Sequence, residues 1–315
     1  MYYPYLRARQ FELIALRELV EEKRLNKSII PILEPIKELF NNINYAHDVF
    51  VKHSFHPFFI VNPIVGEVKG DTNNFLDKLA SLENNHFHTA FHFCDNAKYI
   101  NESIRKYELQ NCLLISFEEY TNEEEFKTLC NNESITHIMI LNPNKNRILD
   151  GYIKKLGKKY IRLDDVFQKQ AKNADFLSVK AHRFTEEHLY YLQDNYQGFS
   201  DFTTLTSEYN ENGGTPRAVV IHLSYINNLK NNEIWIRHFT SETGSNLTSN
   251  VQGKFAEAAK KAIKFCDENK IDNSAIFELK KYYNNQKYPG LGTVKKISIK
   301  NHLLIVEDFL IDSIS

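Results

Sequence analysis

The chain has 315 residues, a net charge of −1 and 42% hydrophobic residues, enough apolar content for a full core and too little basic excess to advertise a nucleic-acid partner. No apolar run approaches the ~20 residues of a membrane span, and the amino terminus lacks the apolar stretch of a secretory signal. Four cysteines without a C-x-x-C pair, Cys94 and Cys112 inside apolar runs that read as core, point to a reducing compartment, so a cytoplasmic protein off the membrane is expected.

In chain order, Tyr2 to Leu6 is β-prone and Gln10 to Lys23 has a helical apolar face through Phe11, Ile14, Leu16, Leu19 and Val20. Ile29 to Pro35 reads as a buried strand, and the same unit then recurs. Strands are expected at Pro57–Pro63, His88–Asp95, Cys112–Phe117, His137–Pro143, Tyr160–Asp165 and Gly198–Leu205, with helices at Phe75–Leu82, Ala97–Leu109, Asn122–Cys130 and Thr185–Tyr196, Thr185 capping the last. Eight short apolar strands alternating with helices argue for parallel βαβ units. Three strands close on a polar residue and a proline, at Glu34-Pro35, Asn62-Pro63 and Asn142-Pro143. Proline cannot donate to a ladder, so each pair marks the carboxyl end of its strand. The expected fold is α/β, a single TIM-like (β/α)8 barrel, with a doubly wound open sheet as the rival.

After the eighth strand the period changes. Ala218–Tyr225 and Glu233–Phe239 alternate and read as an antiparallel hairpin beside the barrel mouth, followed by a Ser/Thr/Gly/Asn-rich loop from Thr240 to Val251. Helices are expected at Val251–Asn269 and Ser274–Tyr283, then a turn at Tyr288–Gly292 and an apolar helix near His302–Leu310. The expected organisation is a barrel over 1–205, a hairpin and loop over the mouth at 206–250, and C-terminal helices at 251–315 completing the same domain.

Tyr3-Pro4-Tyr5-Leu6-Arg7, Gln10, Glu12 to Leu16, Ile30 to Pro35, Gly198 to Phe202 and Ile236-Arg237-His238-Phe239 resemble the "beta protein" family of bacteria and phages. The resemblance covers the whole chain. It implies a βα-barrel-like fold and a link to phage–host conflict loci, sometimes beside a second small protein, and it supplies no catalytic residues.

With these strand ends, the mouth collects Arg7, Arg9, Glu34, Asn62, His92, Asp95, Glu118, Asn142, Arg162, Asp164, Asp165 and Asp201. Arg7 and Arg9, with Arg237 on the hairpin, suit bidentate binding of phosphate or carboxylate; the plainer reading pairs them with Glu12, Glu34 or Asp201. Asp201 lies between Phe199 and Phe202, where burial raises a carboxyl toward general acid or base duty, unless it is held by Thr203 or a loop amide. Neighbouring strand residues point to opposite faces, so Asp164 and Asp165 do not share the lumen, and Asp165 reads as a helix cap. His222 and His238 on the hairpin arms are either structural or a base or metal ligand. No metal motif is present, but Mg²⁺ or Mn²⁺ held by Glu34, Asp164 and Asp201 would leave no recognisable spacing. Gly213-Gly214 and Gly290-Leu291-Gly292 read as turns, and Tyr190-Tyr191 and Tyr282-Tyr283 as helix-packing aromatics.

The functional expectation is a barrel-mouth hydrolase of a phosphorylated or nucleotide-containing substrate. Asp201, His222 and His238 would transfer protons, Glu34 and Asp164 complete the polar ring, and Arg7, Arg9, Arg237 and Asn62 bind substrate. The alternative is a non-catalytic protein that recognises a phage or host protein through its hairpin and the Thr240–Val251 loop.

Overall fold

The structure is a computed structural model that describes residues 1–25, 28–38, 40–117, 122–209, 218–242 and 250–312. Glu118, the Gly213-Gly214 loop and most of the Thr240–Val251 loop lie outside the described residues. The chain forms two compact units. The first comprises Met1–Leu13, Arg17–Asp165 and Glu187–Phe202, and the second Ile14–Leu16, Val166–Glu186 and Thr203–Ser315.

The first unit is a (β/α)8 barrel. Its strands are β1 (Tyr5–Leu6), β2 (Ile32–Leu33), β3 (Phe58–Ile60), β4 (His88–His92), β5 (Cys112–Ser116), β6 (Ile135–Leu141), β7 (Lys159–Asp164) and β9 (Gly198–Asp201). They are all parallel and neighbour one another in that order. Closure comes from a parallel bridge between Tyr2 and Phe199, with the Tyr3 amide donating to the Phe199 carbonyl at 2.9 Å. Helices α1 (Gln10–Glu21), α2 (Phe40–Lys52), α3 (Asn74–Ala80), α4 (Ala97–Lys106), α5 (Glu123–Cys130), α6 (Arg147–Ile153) and α8 (Glu187–Tyr190) connect the strands. α2 and α6 go beyond the helices that the sequence pattern indicates. Asn122 caps α5 by accepting from the Glu125 amide, and three glutamates fill that helix's first turn, where its dipole favours them.

The lumen is packed, and the parity of its lining decides what lies inside. Tyr3 and Tyr5, Ile32, Phe58 and Ile60, Ala90, Leu113 and Ile115, Met139, Ile161 and Leu163, and Phe202 form one buried cluster. Each strand thus sends alternate residues inward. At the seam Tyr3 lies over Gly198, where an added Cβ would come within 2.7 Å of Tyr3 Cδ2. Only glycine lets the first and last strands meet there.

In the second unit β10 (Val220–Asn227) and β11 (Glu233–Thr240) form the expected hairpin, but β11 also pairs antiparallel with β8 (Ala181–Thr185). The expected helix from Thr185 to Tyr196 is therefore corrected: Thr185 ends a strand, and the helix is the short α8. Helix α7 (Phe176–Val179) precedes β8, and α9 (Val251–Glu268), α10 (Ser274–Asn284) and α11 (Leu291–Asp312) complete the unit. α9 and α10 match expectation, capped by Asn250 and Asn273. α11 is longer than the expected His302–Leu310 helix, because Lys296, Lys300, Asn301 and His302 are buried in it rather than marking a polar break. No helix among the described residues is long and apolar enough to cross a membrane.

Candidate functional site

The inward parity of the barrel carries into the layer just past the strands' carboxyl ends. Counting by twos from Tyr3 and Tyr5 reaches Arg7; from Ile32, Glu34; from Phe58 and Ile60, Asn62; from Ala90, His92. All four are buried. Glu34, fully buried, is the centre of this layer. It forms an ion pair with Arg7 Nη1, accepts from the Tyr5 hydroxyl at 2.7 Å and accepts from the Ile64 amide at 2.9 Å. The Tyr5 hydroxyl is also 2.8 Å from His92 Nε2, which lies 3.7 Å from the other Glu34 oxygen. One hydroxyl thus bridges a carboxylate and an imidazole.

Arg7 is held on three sides. Besides Glu34, its guanidinium lies 5.2 Å from the Tyr5 ring centroid and 5.7 Å from that of Phe202, and its backbone amide donates to Glu12 at 2.6 Å. Glu12 sits in the first turn of α1, so the helix start anchors the strand end. Burial, reinforced by the Arg7 charge, pushes the His92 pKa down to about 3, so His92 is neutral at physiological pH. Burial also raises the Tyr5 hydroxyl above its ordinary value, against the pull of Arg7. The layer therefore holds one cation, one anion, a neutral imidazole and a neutral phenol.

Asn62 positions His92 instead of facing a ligand. Its side-chain amide donates to the His92 carbonyl at 2.8 Å and accepts from the His92 amide at 2.9 Å, extending the β3–β4 ladder by one side-chain rung. Asp71 accepts from Asn62 at 3.0 Å and from Asn96 at 2.6 Å, which fixes both amides.

Asp164 and Asp201 have the opposite parity. They are register partners on β7 and β9 and face outward, toward the strand–helix layer. Asp201 accepts from the Tyr2 hydroxyl at 2.7 Å, and the Tyr2 ring stacks on Phe199 with centroids 5.0 Å apart. Asp164 accepts from Arg162 Nε at 2.6 Å and Nη2 at 3.2 Å, and Arg162 also reaches Glu187 of α8 at 3.3 Å. Burial raises the Asp164 pKa, Arg162 opposes the rise and neighbouring Asp201 adds to it. Glu34, Asp164 and Asp201 therefore do not converge on one cation. Among the described residues no group of three or more His, Cys, Asp or Glu side chains is arranged to hold a metal ion. Arg9 lies past β1 as the half-buried residue before α1.

His222, His238 and Arg237 belong to the second unit. His222 and His238 are cross-strand partners, and His182 of β8, which the sequence reading missed, joins them. His182 Nδ1 is 2.8 Å from His238 Nε2, and His238 Nδ1 is 2.7 Å from His222 Nδ1. The Gln168 amide donates to His182 Nε2 at 3.4 Å, which assigns one tautomer to each ring along the chain. Burial holds all three pKa values low, at about 4 for His182, 3 for His222 and 2 for His238. Different nitrogens of His238 face its two neighbours, so the three rings do not present one ligand set. Phe167 and Phe176 pack against them.

What the fold and geometry define is a (β/α)8 barrel with a buried Arg–Glu–Tyr–His network at the carboxyl ends of its strands. No family model, curated protein or solved structure gives a significant match to the chain.

Proposed function

We propose that the protein is a hydrolase that cleaves a phosphorylated or nucleotide-containing substrate at the carboxyl end of its barrel. The observation that carries this reading is the buried Arg7–Glu34 pair with Tyr5 and His92 in the lumen layer where (β/α)8 enzymes keep their chemistry. Apolar residues of similar volume would fill that layer at equal or better stability, so a charged layer has a use other than holding the fold together. Arg7 would grip the phosphoryl oxygens, displacing Glu34. The freed carboxylate then takes the proton of a water whose oxygen bonds to phosphorus as the ester P–O bond breaks. The Tyr5 hydroxyl, bonded to Glu34 and next to His92, offers the path by which a proton returns to the leaving oxygen. His222, His238 and Arg237 have no role in this scheme.

The test is phosphate release from a panel of phosphomonoesters and nucleotides, together with the thermal shift caused by inorganic phosphate. Turnover of at least one ester, and stabilisation by phosphate that Arg7→Met reduces, are expected. No turnover and no shift would sink the reading. The second reading, a non-catalytic protein that binds a phage or host protein, is favoured by the mutual pairing of Glu34 with Arg7, Tyr5 and Ile64. It predicts stable co-purification with a protein encoded nearby, undisturbed by Glu34→Gln. A phage–host conflict setting belongs to this proposal and rests on the family resemblance, and a cytoplasmic location belongs to it on the strength of the four cysteines without a C-x-x-C pair.

A further inference from the structure

The second unit contains a cleft of about 540 Å³ between α7, β11 and α9, within the range of small-molecule sites. Four cations line it, Lys180, Arg237, Lys261 and Lys264, against two carboxylates, Glu242 and Glu268. The lysines on α9 are already matched: Lys261 lies 2.6 Å from Glu242 and 3.1 Å from Glu257, and Lys264 lies 3.7 Å from Glu268. Arg237 and Lys180 have no carboxylate partner among the described residues, so the excess positive charge is concentrated on them.

Both are held in place. The Arg237 guanidinium lies 4.7 Å from the Phe265 ring centroid and 5.8 Å from that of Phe239. Stacking occupies its face and leaves its edge donors, the arrangement that suits bidentate binding of a phosphate. Lys180 has φ 53° and ψ −52°, a conformation that side chains other than glycine avoid, and its carbonyl accepts from the His238 amide at 2.7 Å. Strained backbone of this kind persists where the surroundings over-determine it, often at ligand sites. His238 also lines the cleft, its ring on the other side of β11 from Arg237 and bonded through both nitrogens to His182 and His222. Phe176 and Phe265 add aromatic surface.

We infer that this cleft binds a small phosphorylated aromatic molecule of mononucleotide size, with Arg237 and Lys180 on the phosphate and Phe176 and Phe265 against the ring. The site is separate from the barrel lumen network and does not depend on the hydrolase reading.

The chain's one tryptophan, Trp235, lies two residues from Arg237 on β11 and so points to the same side of the strand. Its fluorescence is the natural readout. Titration with adenosine monophosphate should give a saturable change, inorganic phosphate should compete more weakly, and adenosine should have no effect. Arg237→Gln should weaken binding about tenfold or more by removing the bidentate contact, and Lys180→Ala, an exposed position, should weaken it without threatening the fold. Arg7→Met should leave it unchanged, which separates this site from the lumen. No saturable change at millimolar nucleotide, adenosine binding as tightly as its phosphate, or undiminished binding by Lys180→Ala and Arg237→Gln would overturn the inference.

Discussion

Replacing Arg7 by methionine tests the electrostatics of the lumen directly. The change leaves Glu34 buried without its cation, which typically costs ~3–5 kcal/mol. The Tyr5 hydroxyl at 2.7 Å and the Ile64 amide at 2.9 Å remain as donors, so the lower end, about 3 kcal/mol, is expected near pH 8. His92 then makes the cost depend on pH. In the native chain it is held at about 3 by burial and Arg7, against ~6.5 when unfolded. Only the unfolded chain takes up its proton between these values, so acidification destabilises the native protein. Without Arg7 the smaller of the two causes is gone while burial, the larger, remains; with Glu34 still 3.7 Å away, the folded pKa of His92 rises and part of this acid penalty is relieved. Over the ~1.5 pH units below ~6.5 the whole penalty is about 2 kcal/mol at ~1.4 kcal/mol per unit, which is the upper bound on what the substitution recovers. Urea unfolding followed by far-UV circular dichroism should show the difference between native and Arg7→Met falling from about 3 kcal/mol at about pH 8 by up to about 2 kcal/mol at about pH 5. A difference independent of pH, or below about 1 kcal/mol at pH 8, would refute the reasoning.

The histidine chain of the second unit should dominate that unit's acid sensitivity. His182, His222 and His238 are neutral when folded, with values of about 4, 3 and 2, and protonate near ~6.5 when unfolded. Their stabilisation is complete above ~6.5 and is lost as pH falls toward 4; melting curves of His238→Gln should show a shallower acid limb, and an unchanged slope would count against the assignment. Because Asp201 faces away from the lumen, Asp201→Asn should keep phosphate release within about threefold, whereas Glu34→Gln should cost ~10²-fold or more as a lost general base; equal losses would contradict the division of the site by strand parity. Cys112, Cys130 and Cys266 are buried, and burial pushes each thiol up to about 12, whereas Cys94, expected in the core from its apolar run, is exposed just past β4. Thiol titration of the native protein should find a single fast-reacting group, and a second would show that the barrel around Cys112 and Cys130 or the second unit around Cys266 opens.

The barrel was legible because its punctuation is physical. Prolines after Glu34 and Asn62 mark where those strands leave the sheet, and both residues lie at the lumen's carboxyl end. The direction of Asp201 was not legible. Parallel strands in a barrel are buried on both faces, so Phe199 outside and Phe202 inside give no amphipathic signal in the letters. Parity became certain only with Tyr3 against Gly198 at the seam. Tyr5, Glu34 and His92 meet across 87 residues of chain, which only closure of the sheet accomplishes. His182 escaped because Ala181–Thr185 is a five-residue strand whose partner, β11, lies far along the chain. Its short alternation resembles a helix approach.

On the proposed function, the Arg7–Glu34 layer serves chemistry rather than stability. The most direct measurement is phosphate release and the unfolding midpoint of the double variant Arg7→Met/Glu34→Leu beside the native protein. Removing both charges leaves neither member of the pair buried alone, so stability should fall by no more than the ~1–2 kcal/mol of the Ile64 amide and Tyr5 hydroxyl losing their Glu34 acceptor, while turnover falls by ~10²-fold or more. A double variant that is as active as the native protein, or that is less stable by the several kcal/mol of a structural pair, would contradict the account.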